Sequence, residues 1–314
     1  MSKQTKIILC FIAGLLFVGL LTLILHNIYK TPSIQSNKVS GTNTIQVVAA
    51  ENFWGSLISQ LGGNRVNVTS IVSDPNADPH EYESDTNDAR LFATANYVIL
   101  NGAGYDSWAD NLLSANSNPN QKVLKVADLL GKKEGDNPHF WYSSDYVNQV
   151  IAKMEGDLIS IDPSHADYYK AQYALLQTAL APYQTRIVSI KQQFSGTKVS
   201  CTEDIFVYLS QSTGLDLISP PAFIQAVGEA NDPPANSIVE FQNQLKNKEP
   251  KILVYNQQTV TPVTESMKKV AADNGIPVVG ITETIQPPDT SFQDWMNAQL
   301  IGIENALNAG KLGK

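Results

Sequence analysis

From residue 45 onward the apolar positions switch repeatedly between two periods. IQVVAA (45–50) reads as a buried strand, residues 53–61 as a helix and VNVTSIVS (66–73) as a second strand. The same alternation continues through helical stretches at 86–95 and 105–115, separated by YVILNGA (97–103) and followed by KVLKVADLL (122–130). It resumes after Lys198 with KVSCTE (198–203), DIFVYLSQ (204–211) and LDLIS (215–219), then a helix at 237–247. KILVYN (251–256), a helix at 261–273, IPVVGITE (276–283) and a last helix at 291–308 complete it. Strands that alternate with helices imply βαβ units and parallel sheets.

Between the two alternating blocks, residues 143–194 carry no strand signal. Within them, 162–194 read as one long helix: Asp162 is an N-cap candidate, Pro163 suits the first turn and Gly196 lies just past the end. Pro182 is an interior proline that removes one backbone hydrogen bond and is expected to kink it. The fold class that follows is α/β, two lobes with parallel sheets joined by one long helical spine. The expected organisation is an N-terminal lobe at 45–142, a helical region at 143–196 and a C-terminal lobe at 197–314.

The N-terminus has a different pattern. Residues 7–25 are nineteen consecutive uncharged, mostly apolar residues, long enough as a helix to span a bilayer of about 30 Å. Lys3 and Lys6 precede them and no small-x-small cleavage site follows. Residues 1–30 therefore read as an uncleaved membrane anchor, with a cleaved export signal as the alternative. Cys10 has too few apolar residues before it to read as a lipoprotein cysteine. Residues 31–44, rich in Ser, Thr and Asn, read as a flexible linker. Lys30 and Lys38 on the far side offset Lys3 and Lys6, so charge leaves the orientation open, and either way the protein leaves the cytosol or sits on its membrane.

Charge narrows the classes of partner. The chain has 22 Lys and Arg against 30 Asp and Glu, a net charge of −8. Lys3, Lys6 and Lys30 sit in the first thirty residues, which hold no acid, so the remainder is more acidic still. That balance repels nucleic acid and mildly favours cations. With Cys10 in the apolar segment, Cys201 has no partner for a disulfide in the main body and reads as a small buried hydrophobe.

Of the four histidines, His26 ends the apolar segment and His165 falls in the first turn of the spine. His80 and His139 stand apart because their contexts are parallel: Asp78-Pro79-His80 and Asn137-Pro138-His139. Each proline stiffens its own backbone and that of the residue before it, so each imidazole is presented with little entropy left to lose. Such imidazoles suit a metal, although spacing alone leaves open two unrelated loop histidines, since no short-range ligand motif is present.

The segment ADPHEYESDTNDARLFATANYVILNGAGYDSW resembles the signature of the zinc/manganese-type substrate-binding proteins of ABC transporters. In that family the first metal ligand is the histidine of D-P-H-x-[YF]-E, here His80. The second lies in an N-P-H-x-W element, matched by Asn137 to Trp141. The third falls in [HE]-D-x-F-x-Y, read here as Glu203-Asp204-Ile205-Phe206-Val207-Tyr208. The fourth is an acid ending a late strand ahead of a W-M helix, which GITETIQPPDTSFQDWM places at Glu283. The resemblance covers about residues 45–310. It implies two α/β lobes around a rigid linking helix, with one transported Zn²⁺ or Mn²⁺ held in the cleft by His80, His139, Glu203 and Glu283. It also implies an ABC permease as partner and a monomeric, non-enzymatic receptor.

Two departures bear on the metal. Glu203 stands where many zinc-specific members have histidine, and GKKEGDN (131–137) lacks a long His-rich loop. Two imidazoles with two carboxylates exclude a soft Cu(I) site and suit Zn²⁺, Mn²⁺ or Fe²⁺. Glu81, Tyr82 and Asp204 are candidates to orient the ligands, while Phe140, Trp141 and Tyr142 read as core. The competing functions are a metal-dependent hydrolase, which needs an open coordination position for water, and a surface adhesin.

Overall fold

A computed structural model of the protein describes residues 44–74, 79–115 and 118–312. The apolar segment at 7–25 with Cys10 and His26, and the linker up to residue 43, lie outside the described residues. Among the described residues no helix is long and apolar enough to cross a membrane.

The first sheet is built from β1 (Ile45–Glu51), β2 (Val66–Val72), β3 (Tyr97–Leu100) and β4 (Lys122–Lys125), in the order β2-β1-β3-β4. All its pairs are parallel, with Ile45 opposite Val66, Val47 opposite Tyr97 and Tyr97 opposite Lys122. Helices α1 (Asn52–Gly62), α2 (Thr86–Thr94) and α3 (Ser107–Ala115) supply the crossovers. The period of two sorts the buried strands between two cores. Ile45, Val47, Ala49, Tyr97 and Ile99 face the main core, whereas Val48, Ala50, Val98 and Leu100 face a smaller one with Phe92, Ala95 and Ala109.

The second sheet repeats the plan. Its strands β5 (Lys198–Cys201), β6 (Asp216–Leu217), β7 (Leu253–Asn256) and β8 (Val278–Ile281) are parallel in the order β6-β5-β7-β8. Helices α6 (Val207–Thr213), α7 (Pro221–Gly228), α8 (Ala235–Lys246) and α9 (Pro262–Asp273) lie along its chain path, and α10 (Phe292–Leu312) closes it. The eight residues of α7 were not anticipated, although a proline at the first helical position fits a start.

Between the sheets, α4 (Ser144–Ile161) and α5 (Ala166–Phe194) form the helical region, so its strandless pattern holds. Asp162 precedes the short Pro163–His165 turn without a side-chain cap bond, and its carboxylate accepts the Ser164 and Tyr169 hydroxyls and meets the His165 ring at 2.7 Å. The 29 residues of α5 reach about 43 Å at about 1.5 Å each. Its buried face, Tyr169, Leu176, Leu180, Tyr183, Ile187, Ile190 and Phe194, follows the helical repeat and joins the core shared by both sheets. Helix α5 runs unbroken through Pro182. Both Pro182 and Thr178, whose carbonyl loses its partner, lie on the exposed side, where solvent can replace the missing bond. Arg186 binds α10 through Asn297 at 2.7 Å and Glu304 at 2.6 Å.

At the carboxyl ends of β1 and β3 lies a buried acid pair. Asp106 accepts the backbone N–H groups of Asn101 and Gly102 at 2.6 and 2.7 Å, and so fixes the turn that carries Tyr105. Gly102 is obligatory there: its φ is +78°, and a Cβ would lie 2.8 Å from the Lys125 side chain. Glu51, the last residue of β1, is buried against Asp106, and burial followed by the Asp106 charge holds its carboxyl well above the usual range. A raised carboxyl stabilises the fold below its unfolded pKa and loses that contribution as pH rises toward its folded pKa. Glu51→Gln, which keeps a donor without a proton to lose, should therefore raise stability at pH 7 by about 2 kcal/mol and leave it nearly unchanged at pH 4. Denaturant unfolding at the two pH values checks this.

Candidate metal centre

In parallel α/β sheets, loops at the carboxyl ends of strands converge, because the crossovers return behind the sheet. That rule places every proposed ligand. His80 follows β2 in the Pro79–Glu81 turn, His139 follows β4 and its helical turn, Glu203 follows β5 and Glu283 follows β8. One ligand-capable atom from each of His80, His139, Glu203 and Glu283 lies within 4.8 Å of the others. The His80 Nε2–Glu283 Oε2 distance is 3.4 Å, and His139 Nε2 stands 3.6 Å from Glu203 Oε1 and 3.8 Å from Glu283 Oε2. Four ligands at about 2.0–2.1 Å from one ion in a tetrahedron stand about 3.3 Å apart, so a small contraction of this cluster fits a single ion.

The donor atoms are prepared for a cation. His139, Glu203 and Glu283 are fully or almost fully buried. His139 Nε2 and Glu203 Oε1 are buried without a hydrogen-bond partner, a costly arrangement unless something fills the space between them. Asn137 Oδ1 meets His139 Nδ1 at 3.0 Å and accepts the His139 backbone N–H at 2.9 Å. With Nδ1–H donating, the lone pair of His139 is left on Nε2, toward the cluster. Burial lowers the His139 ring to about 3, so it is neutral and ready to coordinate throughout the physiological range.

The two carboxylates behave as a coupled pair. Burial, and then the charge of Glu283, hold Glu203 well above the usual range. Burial alone would also raise Glu283, but the charge and hydrogen bond of His80, with smaller contributions from His139 and Tyr105, bring it down to about 2. Tyr105 donates its hydroxyl to Glu283 Oε2 at 2.7 Å. Asp204, whose carboxyl burial raises to about 7, approaches His139 Nδ1 at 3.4 Å.

Of the other candidates, Tyr82 is turned away and donates to Asp88 at 2.8 Å. The Glu81 side chain lies outside the described residues. Phe140, Trp141 and Tyr142 are core, as expected, and Tyr142 also donates to Thr282 O, next to Glu283, at 2.8 Å. Cys201 is fully buried and its thiol donates to the Glu203 carbonyl, away from the cluster. Three contributors escaped the sequence reading: Asn137, Tyr105 and Asn256. Asn137 and Tyr105 lie inside the quoted motifs, and Asn256 is the last residue of β7, a carboxyl end like those that bear the ligands.

A cavity of about 630 Å³ leads from the surface to the partly exposed His80. Glu134, Asp136, Asp204 and Glu229 lie along it, so the approach carries a potential that favours cations.

Residues 47–306 match the family of the zinc-uptake complex component A, periplasmic. The chain belongs to that family. It is 24% identical over 290 residues to the manganese ABC transporter substrate-binding lipoprotein PsaA of Streptococcus pneumoniae, covering 86% of this chain and 91% of that one. Among solved structures it resembles that of ZnuA, with a TM-score of 0.65 at 21% identity over 86% of this chain and 99% of the other. The substrate-binding protein FpvC of Pseudomonas aeruginosa, solved with Mn²⁺, gives 0.70 at 16% identity over 85% and 99%. The two-lobed α/β architecture is thus the fold of this family.

The raised Glu203 carboxyl adds to the pH dependence expected of the imidazoles, which must be neutral to coordinate. An ion entering the cluster competes with protons, so affinity should rise with pH and binding should release protons. Calorimetry in buffers of different ionisation enthalpy counts them. Glu203→Gln should reduce the release while weakening binding.

Proposed function

We propose that this protein is the extracytoplasmic receptor of an ABC transporter: it captures one divalent transition metal ion, Zn²⁺ or Mn²⁺, and delivers it to a cognate permease. The observation that carries the reading is the convergence of His80, His139, Glu203 and Glu283, drawn from both lobes, on a buried point with two unpartnered donor atoms. Family membership supports it, as do a manganese transporter lipoprotein and a manganese-bound substrate-binding protein among the similar proteins. In this reading the four residues are the ligands, and the ion ties the lobes together.

A hydrolytic enzyme built on the same ion would need a vacant coordination position beside a general base. Four protein donors around one point suit a carrier that closes its shell. The companion assignments are residues 1–30 as anchor or signal, 31–44 as tether, and 45–142 and 197–314 as lobes flanking the 143–196 helical region. They place the receptor on the outer face of the cytoplasmic membrane as a monomer.

Native mass spectrometry with elemental analysis of protein purified without chelator should find one zinc or manganese per chain. His139→Ala should lose the ion, with affinity reduced beyond the roughly 10–100-fold typical of outer contacts. Wild-type protein that takes up neither metal at micromolar concentration would reject the proposal.

A further inference from the structure

Resting on that ligand assignment, we infer that Asn256 is a positioning residue that holds both carboxylates to one-oxygen coordination, and so biases the site toward four-coordinate zinc over manganese. Asn256 is 1% exposed and ends β7, between the strands that lead to Glu203 and Glu283. Its Nδ2 donates to Glu203 Oε2 at 2.9 Å and to Glu283 Oε1 at 2.5 Å, with Thr259 Oγ1 also at 2.9 Å. The orientation of the amide is fixed from the other side, because Asn256 Oδ1 accepts the backbone N–H of Gln258 at 3.0 Å. The NH₂ group therefore faces the acids.

One amide thus engages one oxygen of each carboxylate. The other oxygen of each, Glu203 Oε1 and Glu283 Oε2, is the one that faces the histidines. A chelating carboxylate brings both oxygens to similar distances from the ion. Chelation here would swing Glu203 Oε2 or Glu283 Oε1 off the amide nitrogen, giving up a charge-assisted hydrogen bond in a dry site. The backbone around Glu283 leaves little room to compensate. Gln258 Oε1 accepts the N–H groups of Glu283 and Thr284 at 2.8 and 3.0 Å, Gln299 Oε1 accepts that of Thr282 at 2.8 Å, and Asn52 Oδ1 accepts that of Ile285 at 2.9 Å.

Two nitrogens and two single oxygens make four ligands, the number zinc adopts in closed sites. Hard Mn²⁺ favours octahedral oxygen-rich sets and gains from each chelating carboxylate. The clamp withholds that gain. It offsets the extra hard oxygen that Glu203 brings in place of a histidine.

The test uses the full-length protein, its Asn256→Leu and Asn256→Ala variants, and Co²⁺, Zn²⁺ and Mn²⁺ as probes. Wild-type protein loaded with Co²⁺ should show the intense visible absorption of a four-coordinate ion. Both variants should show a weaker band of higher coordination, and their preference for Zn²⁺ over Mn²⁺ should fall roughly tenfold. Asn256→Leu preserves bulk, and its thermal unfolding without metal verifies folding independently of binding. An unchanged cobalt spectrum and preference in a folded variant would overturn the clamp while leaving the ligand assignment standing. Failure of the wild type to bind any of the three ions would overturn both.

Discussion

Two carboxylates buried in one dry space repel each other, and the structure around them is arranged to make that repulsion tolerable only when positive charge is present. Neither Glu203 nor Glu283 is exposed, and no lysine or arginine forms an ion pair with them among the described residues. Hydrogen bonds from Asn256 and Tyr105 spread part of the charge, and the approach of His80 favours an ionised Glu283. The Glu203 carboxyl is held well above the usual range, because a second uncompensated charge at that depth is costly. At the proposed site, a divalent cation would neutralise both acids at once.

That electrostatic arrangement depends on a scaffold that does not yield. The two sheets share a topology and present their carboxyl ends to each other, and one core runs from the first sheet through α5 to the second. Polar bridges tie the lobes on either side of the cluster. Asn52 exchanges hydrogen bonds with the Ile285 backbone, and Gln60 does so with Gln293. On the other side, Asn137 donates to Asp204 O, and Tyr208 donates to Asn137 O. The loop bearing Glu283 is thereby fastened to both lobes, which favours small adjustments of side chains over a large hinge motion on metal capture.

Much of this was legible from local pattern. The strands at 45–50, 97–103 and 251–256 announce themselves because a buried parallel strand must be nearly continuous in apolar residues. His80 and His139 stand out because proline leaves a recognisable mark beside each. The expected Asp162 cap of the long helix gives way to a short turn at Pro163–His165, which one residue's preference does not foresee. Asn256 was invisible for a different reason. An asparagine at a strand end is common, and this one matters only because Glu203, 53 residues before it, and Glu283, 27 residues after it, are folded onto the same amide.

The order and type of the elements and the α/β class were set by the chain's own periodicity, since each depends on near neighbours alone, whereas the four candidate ligands were singled out through motifs shared with a known family. Which carboxyl is raised and which is lowered, which nitrogen of His139 is left open and which oxygen of each carboxylate meets Asn256 were decided only in three dimensions. Those properties arise from burial and from hydrogen bonds between residues far apart in sequence, and no local pattern encodes either.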